Sequence, residues 1–145
     1  MSRNLNELNN SIYYKAKSAI EIMQNDQQLK DAGVSNVYIS ETRRALAVQM
    51  AYYSRSRMSV KDVQKMYRAA GLYDISESEA KTPNTWTLES KHLTGNAIDL
   101  VPEKNGKPWW NAPESVWERM GEIGEQCGMS WGGRWKTKDC PHFEV

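Results

Sequence analysis

Apolar residues recur at helical spacing in four stretches of the chain, and each stretch is bounded by residues that favour helix ends. The four predicted helices cover about residues 5–33, 42–57, 59–71 and 113–128. The first helix is bounded by Asn4 with Glu7 and by Gly33, and the second begins at Thr42. The third is bounded by Ser59 with Asp62 and by Gly71, and the fourth by Pro113 and Gly128. The first helix carries no side chain of obvious chemistry, so we interpret residues 1–33 as an N-terminal scaffold helix.

Shorter apolar segments with alternating polarity predict strands at residues 36–40, 97–101, 129–131 and 142–145, with another short one at 85–88. Residues 73–91 otherwise lack periodicity and predict a loop, and residues 102–110 predict a loop or a hairpin around Asn105-Gly106. Without repeats or linkers, residues 1–145 are predicted to form one domain. The fold class is α+β, a small antiparallel sheet flanked by helices.

Composition and charge mainly exclude certain classes of partner, location and covalent cross-link. The net charge of +1 gives no reason to expect a nucleic-acid or membrane partner. There is no apolar run of transmembrane length, and the polar start Met1-Ser2-Arg3-Asn4 is not typical of a secretory signal, so we expect a cytoplasmic product. Two cysteines, Cys127 and Cys140, do not make a disulfide framework and are expected to be free thiols.

Candidate chemistry is concentrated around the two histidines of the chain. His92 precedes Asp99 by seven residues, and strand alternation turns Asp99 away from the face that carries Ile98 and Leu100. Alternation also puts His142 on the face opposite Phe143. A lone histidine is more often packed or exposed, but two histidines with a strand carboxylate favour an open zinc site.

The cysteine Cys140 is an alternative zinc ligand, because thiolates bind zinc well. A site made of Cys140, His142 and His92 would leave Asp99 on its strand face without a purpose. Zinc hydrolases also need a base that does not bind the metal. Asp139 lies three residues before His142; alone it would be interpreted as a surface carboxylate, but this position favours the catalytic base.

These positions form a two-part motif, Ser90-x-His92-x-x-Gly95-x-Ala97-x-Asp99 followed by Asp139-x-x-His142. The motif resembles that of the zinc peptidases of peptidoglycan. This family includes D-alanyl-D-alanine carboxypeptidases and dipeptidases and the phage L-alanyl-D-glutamate endopeptidases. The resemblance implies a hedgehog/D,D-peptidase-like fold, Zn²⁺ bound by His92, Asp99 and His142, and Asp139 as the base.

An upstream segment extends the resemblance. Ile39-Ser40-Glu41-Thr42-Arg43-Arg44, with Gln49 five residues after Arg44, is similar to the strand-to-helix segment that carries the substrate-binding arginine of the family. We assign that role to Arg44, with the adjacent Arg43 as the alternative. Gln49 and Ser90 are predicted to bind substrate, although a structural turn hydroxyl is an equal interpretation of Ser90.

Three tryptophans are candidates for the walls of a substrate groove, namely Trp86, Trp131 and Trp135, with core packing favoured for Trp131. The resemblance leads us to expect a phage endolysin that hydrolyses the L-alanyl-D-glutamate bond of the stem peptide. The alternatives are a D-alanyl-D-alanine carboxypeptidase and a non-catalytic zinc-binding module on the same fold. We expect a monomer without a membrane anchor that reaches periplasmic peptidoglycan from the host cytoplasm after holin-type release.

Overall fold

The protein is described here by a computed structural model that covers residues 2–145. Within these residues the chain forms six α-helices and five strands. The helices are α1 (Asn10–Asn25), α2 (Gln27–Asp31), α3 (Leu46–Ser54), α4 (Val60–Ala69), α5 (Glu77–Ala80) and α6 (Glu114–Gln126). The strands are β1 (Asn36–Glu41), β2 (Ala97–Lys104), β3 (Lys107–Pro108), β4 (Ser130–Trp131) and β5 (His142–Glu144). None of the helices in this part of the chain is long and apolar enough to cross a bilayer.

The strands form one antiparallel sheet in the order β1-β2-β5-β4, and β3 pairs with the end of β2. The predicted hairpin forms at Asn105 and Gly106, which both have positive φ, as a two-residue turn of this kind requires. The short final strand β5 is interior to the sheet, between β2 and β4. Its register places His142 opposite Asp99, and Phe143 opposite Ile98. The predicted α+β class with a small antiparallel sheet is confirmed.

The main apolar core contains side chains of α1, α6 and the sheet. The buried residues of α6 repeat at helical spacing and include Val116, Met120 and Ile123, as the sequence predicts. A second, smaller core joins α3, α4 and α5 around Tyr67 and was not predicted. It buries Ile75 and Ala80 and so fixes the start of the long connection that leads to residues 85–96.

The N-terminal region is divided where a single helix was predicted. A short 3₁₀-helix spans Leu5–Glu7, and α1 ends before Asp26, whose extended backbone and side-chain bond to the Leu29 N–H begin α2. The buried face of α1 lies in the main core, and the scaffold role of residues 1–33 stays a prediction. Gly95 packs directly on this region, because a Cβ there would lie 3.1 Å from the Glu7 carbonyl oxygen.

Three other local predictions are wrong. Thr42 does not cap a helix, because α3 begins only at Leu46 and Thr42 is fully buried beside the sheet. The segment after Ser76 is the short helix α5 and not a loop, since the Ser76 side chain accepts a bond from the Glu79 N–H. Residues 85–88 form no strand. The cap at Ser59 is confirmed, because its hydroxyl accepts a bond from the Asp62 N–H.

Candidate metal centre and cleft

The three predicted metal ligands meet at one point of the fold. Asp99 lies on β2, His142 lies opposite it on β5, and His92 projects from the loop before β2. His92 Nε2 and His142 Nδ1 each lie 3.2 Å from Asp99 Oδ1. The three ligand atoms are all within 4.8 Å of one another, and no other group of His, Cys, Asp and Glu in residues 2–145 has metal-binding geometry.

Each imidazole has an inner nitrogen, which faces Asp99, and an outer nitrogen, which points away from it. The partner of each outer nitrogen is an oxygen that accepts a hydrogen bond. His92 Nδ1 donates to the Thr42 carbonyl oxygen over 2.7 Å, and His142 Nε2 donates to Glu144 Oε2 over 2.8 Å. When a metal ion takes the inner side, these bonds orient the rings, because each outer nitrogen then carries the hydrogen. In neutral rings the inner nitrogens therefore present lone pairs.

Two imidazole lone pairs and the Asp99 carboxylate thus converge without a hydrogen between them. Such a set needs a cation, either a proton or a metal ion, and a divalent ion such as zinc suits two nitrogens and one oxygen. Burial raises the pKa of Asp99, but hydrogen bonds from His142 and His92, in the state in which their inner nitrogens carry protons, outweigh burial and hold that pKa well below its usual range. The donor chemistry of these residues fits a metal ion.

The alternative prediction, that Cys140 is a ligand of the metal-binding group, is wrong. Among the described residues the metal-binding group contains no cysteine. Cys140 packs against the main core and lines a separate hollow with Trp117 and Glu118. Burial raises the pKa of the Cys140 thiol, which makes it a poorer ligand.

Asp139 lies beside the metal-binding group without belonging to it. Its Oδ2 is 4.0 Å from His142 Nδ1, and its side chain is half-exposed. The turn is held by the Asp139 carbonyl oxygen, which accepts a bond from the His142 N–H, and by Gly132, where a Cβ would lie 2.4 Å from that oxygen. Burial and then the nearby Asp99 carboxylate raise the pKa of Asp139, which favours proton uptake by this group.

Of the two adjacent arginines, Arg44 faces the cleft. Its Nε and Nη2 donate to Glu41 Oε1, and its Nη1 donates to Gln49 Oε1 over 2.6 Å. The guanidinium also lies 5.0 Å from the centroid of the Tyr52 ring. Arg43 is exposed and lines a different hollow near the N-terminus. Three of the five N–H donors of Arg44 are engaged, so the other two remain for a ligand.

Gln49 and Ser90 have structural partners of their own. Gln49 is fully buried; its Oε1 accepts from Arg44, and its Nε2 donates to the Thr87 carbonyl oxygen over 2.8 Å. The Ser90 hydroxyl accepts a bond from the His92 N–H over 3.2 Å. Their predicted contacts with substrate stay predictions, and the geometry also gives both residues a positioning role.

All seven predicted site residues line one cleft of about 250 Å³. Thr85, Thr87, Glu89, Lys91, Trp135 and Glu144 complete its wall. The Trp135 ring lies 5.0 Å from the His142 ring, whereas Trp131 is buried in the core and Trp86 is outside the cleft. Sequence reasoning missed Glu41 as the partner of Arg44; the three-residue spacing between them was the available signal.

The last ligand depends on one apolar anchor. Phe143 is completely buried, and its ring lies so close to α6 that a Cβ on Gly124 would come within 2.2 Å of Phe143 Cε1. We expect Phe143→Ala to reduce the free energy of unfolding by about 3–5 kcal/mol and to weaken Zn²⁺ affinity, because β5 loses its packing. Urea unfolding and Zn²⁺ titration measure both effects. Val145→Ala, at a partly buried position, is the control; equal effects of the two changes would contradict the anchor role.

Comparisons with known proteins find similar sequences and similar structures. Residues 83–145 match the sequence profile of a family described as D-alanyl-D-alanine carboxypeptidase. The L-alanyl-D-glutamate peptidase of Escherichia phage T5 is 36% identical in an alignment of 62 residues, and the match covers 39% of this chain and 45% of the relative. The peptidoglycan L-alanyl-D-glutamate endopeptidase CwlK of Bacillus subtilis is 38% identical in an alignment of 66 residues, and the match covers 39% of this chain and 40% of the relative. The chain therefore spans less than half of the length of these curated relatives.

Solved structures match over nearly the whole chain. The L-Ala D-Glu endopeptidase ChiX of Serratia marcescens has a TM-score of 0.58 and 26% identity over 98% of this chain and 83% of that one. The vancomycin-resistance D,D-pentapeptidase VanY, solved in complex with Zn(II), has a TM-score of 0.54 and 16% identity. That match covers 95% of this chain and 72% of VanY, and it shows a shared fold.

Proposed function

We propose that this chain is a zinc-dependent peptidoglycan endopeptidase. The proposal follows from its resemblance, in sequence and fold, to the family of zinc D,D-peptidases and L-alanyl-D-glutamate endopeptidases. Its substrate is the L-alanyl-D-glutamate bond of the stem peptide. The observation that carries the proposal is the convergence of His92, Asp99 and His142 as three lone-pair donors beside the carboxylate of Asp139. The printed names of both curated relatives and of ChiX support this bond.

The proposed chemistry divides amide hydrolysis among a few groups. His92, Asp99 and His142 would hold a zinc ion, which would supply Lewis acidity and would lower the pKa of a bound water to about 7. Asp139 accepts the proton of the attacking water and passes it to the leaving amine. The two remaining N–H groups of Arg44 stabilise the negative charge that develops on the carbonyl oxygen. Glu41 and Gln49 hold the guanidinium in place for that role.

A second candidate is a D-alanyl-D-alanine carboxypeptidase, which the description of the matching family profile favours. The metal-binding group and Asp139 serve either amide bond equally well. A non-catalytic zinc-binding module is a weaker third candidate, since a structural metal needs no adjacent base.

Digestion of purified sacculi, with products mapped by mass spectrometry, tests the proposal. New N-terminal D-glutamate supports the endopeptidase, whereas loss of terminal D-alanine supports the carboxypeptidase. Absence of both products from protein that has bound stoichiometric Zn²⁺ would overturn both assignments and favour the non-catalytic module.

The biological setting is proposed in the same way. The phage T5 relative, an L-alanyl-D-glutamate peptidase, supports the role of a phage endolysin. We further propose that this chain acts as a monomer on the stem peptide, without nucleic acid or membrane anchoring. It would accumulate in the cytoplasm of a Gram-negative host and reach periplasmic peptidoglycan after holin-type release. Co-expression with a holin should then lyse cells, and expression alone should not. Lysis without a membrane lesion would contradict this route.

The arginine assignment gives a separate prediction. We expect Arg44→Ala to keep its zinc and to lose about 10²–10³-fold in kcat, the typical cost of one donor to a developing oxyanion. Arg43→Ala is the matched control, because its side chain faces another hollow and should have a far smaller effect. Steady-state kinetics and zinc analysis of both variants measure this difference. The reverse ranking would show that Arg43 is the substrate-binding arginine.

A further inference from the structure

We propose that Tyr53, Arg57 and Trp86 form a docking surface for the glycan strand of peptidoglycan, and we name it the Trp86 surface. The inference rests on the proposed function and deepens it, because it assigns the part of the substrate that binds outside the cleft. The cleft lined by Asp139 and the metal-binding group would take only the stem peptide.

Exposure of Trp86 is the first observation. Its side chain is 74% exposed, the highest value among the large apolar side chains that the structure leaves accessible in residues 2–145. Trp86 belongs to neither apolar core, and its loop forms no helix or strand. Scattered exposed apolar residues are normal, so exposure by itself assigns no role. The contacts between Trp86 and its neighbours are the second observation.

Those neighbours hold Trp86 in a defined arrangement. The Arg57 guanidinium carbon lies 3.9 Å from the centroid of the Tyr53 ring and 5.6 Å from that of Trp86. Arg57 Nη1 donates to the carbonyl oxygens of Tyr53 at 2.7 Å and of Thr85 at 3.1 Å. One cation therefore links α3 and the loop, and stacks with two aromatic rings. A surface organised before binding loses less conformational entropy when a ligand arrives.

The Trp86 surface is continuous with the cleft. Thr85 and Thr87, the residues on either side of Trp86, both line the cleft wall. The Thr87 carbonyl oxygen accepts a bond from Gln49, which also accepts one from Arg44. The loop is thus fixed from both sides, by Arg57 and by Gln49, and Trp86 projects at the rim. A polymer whose peptide occupies the cleft must extend past this rim.

The chemistry of the surface suits an amino-sugar strand. Sugar rings present C–H faces that pack on aromatic rings, while their acetamido and lactyl carbonyl oxygens accept hydrogen bonds from a guanidinium. Stacked aromatics with an arginine also suit single-stranded nucleic acid. However, the adjacent cleft wall mixes the carboxylates of Glu89, Asp139 and Glu144 with the cations of Arg44 and Lys91, so it forms no positive channel for a phosphate backbone, whereas the stem peptide proposed for the cleft is attached to a glycan strand. We therefore commit to the glycan strand.

The direct test is binding of glycan strands stripped of their stem peptides, which is independent of cleavage. Trp86→Ala should weaken binding about tenfold, equivalent to about 1.4 kcal/mol, and Trp86→Tyr should restore most of it. Trp110→Ala is the control, because Trp110 is also exposed, at 56%, but lies outside this surface. Unchanged affinity in Trp86→Ala, or wild-type binding to a single-stranded oligonucleotide and not to glycan, would overturn the proposal.

Kinetics provide a second readout. We expect Trp86→Ala to lower kcat/KM on sacculi about tenfold more than on a soluble stem peptide without sugar. An equal loss on both substrates would mean that Trp86 supports the cleft and not glycan docking. If the wild-type protein cleaves neither substrate, the proposed function fails, but the binding experiment still decides whether the Trp86 surface takes glycan.

Discussion

Asp99→Ala protein is expected to lose its zinc and all peptidase activity while it remains folded. Asp99 Oδ1 is the atom that both inner imidazole nitrogens face at 3.2 Å, so its removal leaves two neutral nitrogens and no charge to balance a divalent cation. Loss of a partner that only orients a ligand costs about 10–100-fold in metal affinity. Loss of the charged ligand should therefore cost more than about 100-fold.

Zinc stoichiometry by elemental analysis and affinity by titration measure this effect, and circular dichroism checks the fold. Glu103→Ala is the matched control, because Glu103 lies on the same strand outside the cleft. His92→Ala should behave like Asp99→Ala, since His92 is buried and its Nδ1 is already bonded to the Thr42 carbonyl oxygen. Stoichiometric zinc in both variants would remove the metal-centre assignment.

Asp139→Asn is expected to keep zinc and fold and to lose about 10²–10⁴-fold in kcat, the usual contribution of a positioned acid or base. The amide keeps the shape of the carboxylate but cannot accept a proton. Asp139 Oδ2 lies 4.0 Å from His142 Nδ1, near the metal-binding group but outside it, so metal affinity should change little.

This variant distinguishes a catalytic base from a metal ligand. If Asp139 is the base, the variant keeps its zinc; if Asp139 is a ligand, the variant loses it. Asp74→Asn, a change at an exposed carboxylate away from the cleft, controls for the loss of one negative charge. Near wild-type turnover in Asp139→Asn would exclude it as the base. Loss of zinc together with activity would instead make Asp139 part of the metal-binding set.

Local patterns in the sequence were enough to predict several features. Strand alternation placed Asp99 and His142 on faces opposite Ile98 and Phe143, and the structure has this arrangement. Helical spacing identified the buried face of α6. These predictions succeed because alternation and helical periodicity depend on neighbours only a few residues away. The same local reasoning failed at Asp26, where a side chain that competes for backbone N–H groups divides the helix.

Long-range packing decided what the motif could not. The motif left Arg43 and Arg44 as alternatives, and the fold places Arg44 in the cleft wall with Thr87 and His92; its role as the substrate-binding arginine stays a prediction. The second core around Tyr67 has no single local pattern, because it joins three short helices. Trp86 was a candidate for the groove wall by residue type, but the structure puts it at the rim beside Arg57.

The sequence by itself determined the kinds of ligand, the faces that carry them and the acidic residue beside the last histidine. Only the tertiary structure decided which nitrogen of each histidine is available to a metal. That choice depends on the Thr42 carbonyl oxygen behind His92 and on the Glu144 carboxylate behind His142. Thr42 is fifty residues from His92 in the chain. His142 lies beside Asp99 because β5 pairs with β2 in the interior of the sheet. Residue chemistry and periodicity are local properties, whereas the convergence of three lone pairs requires the folded chain.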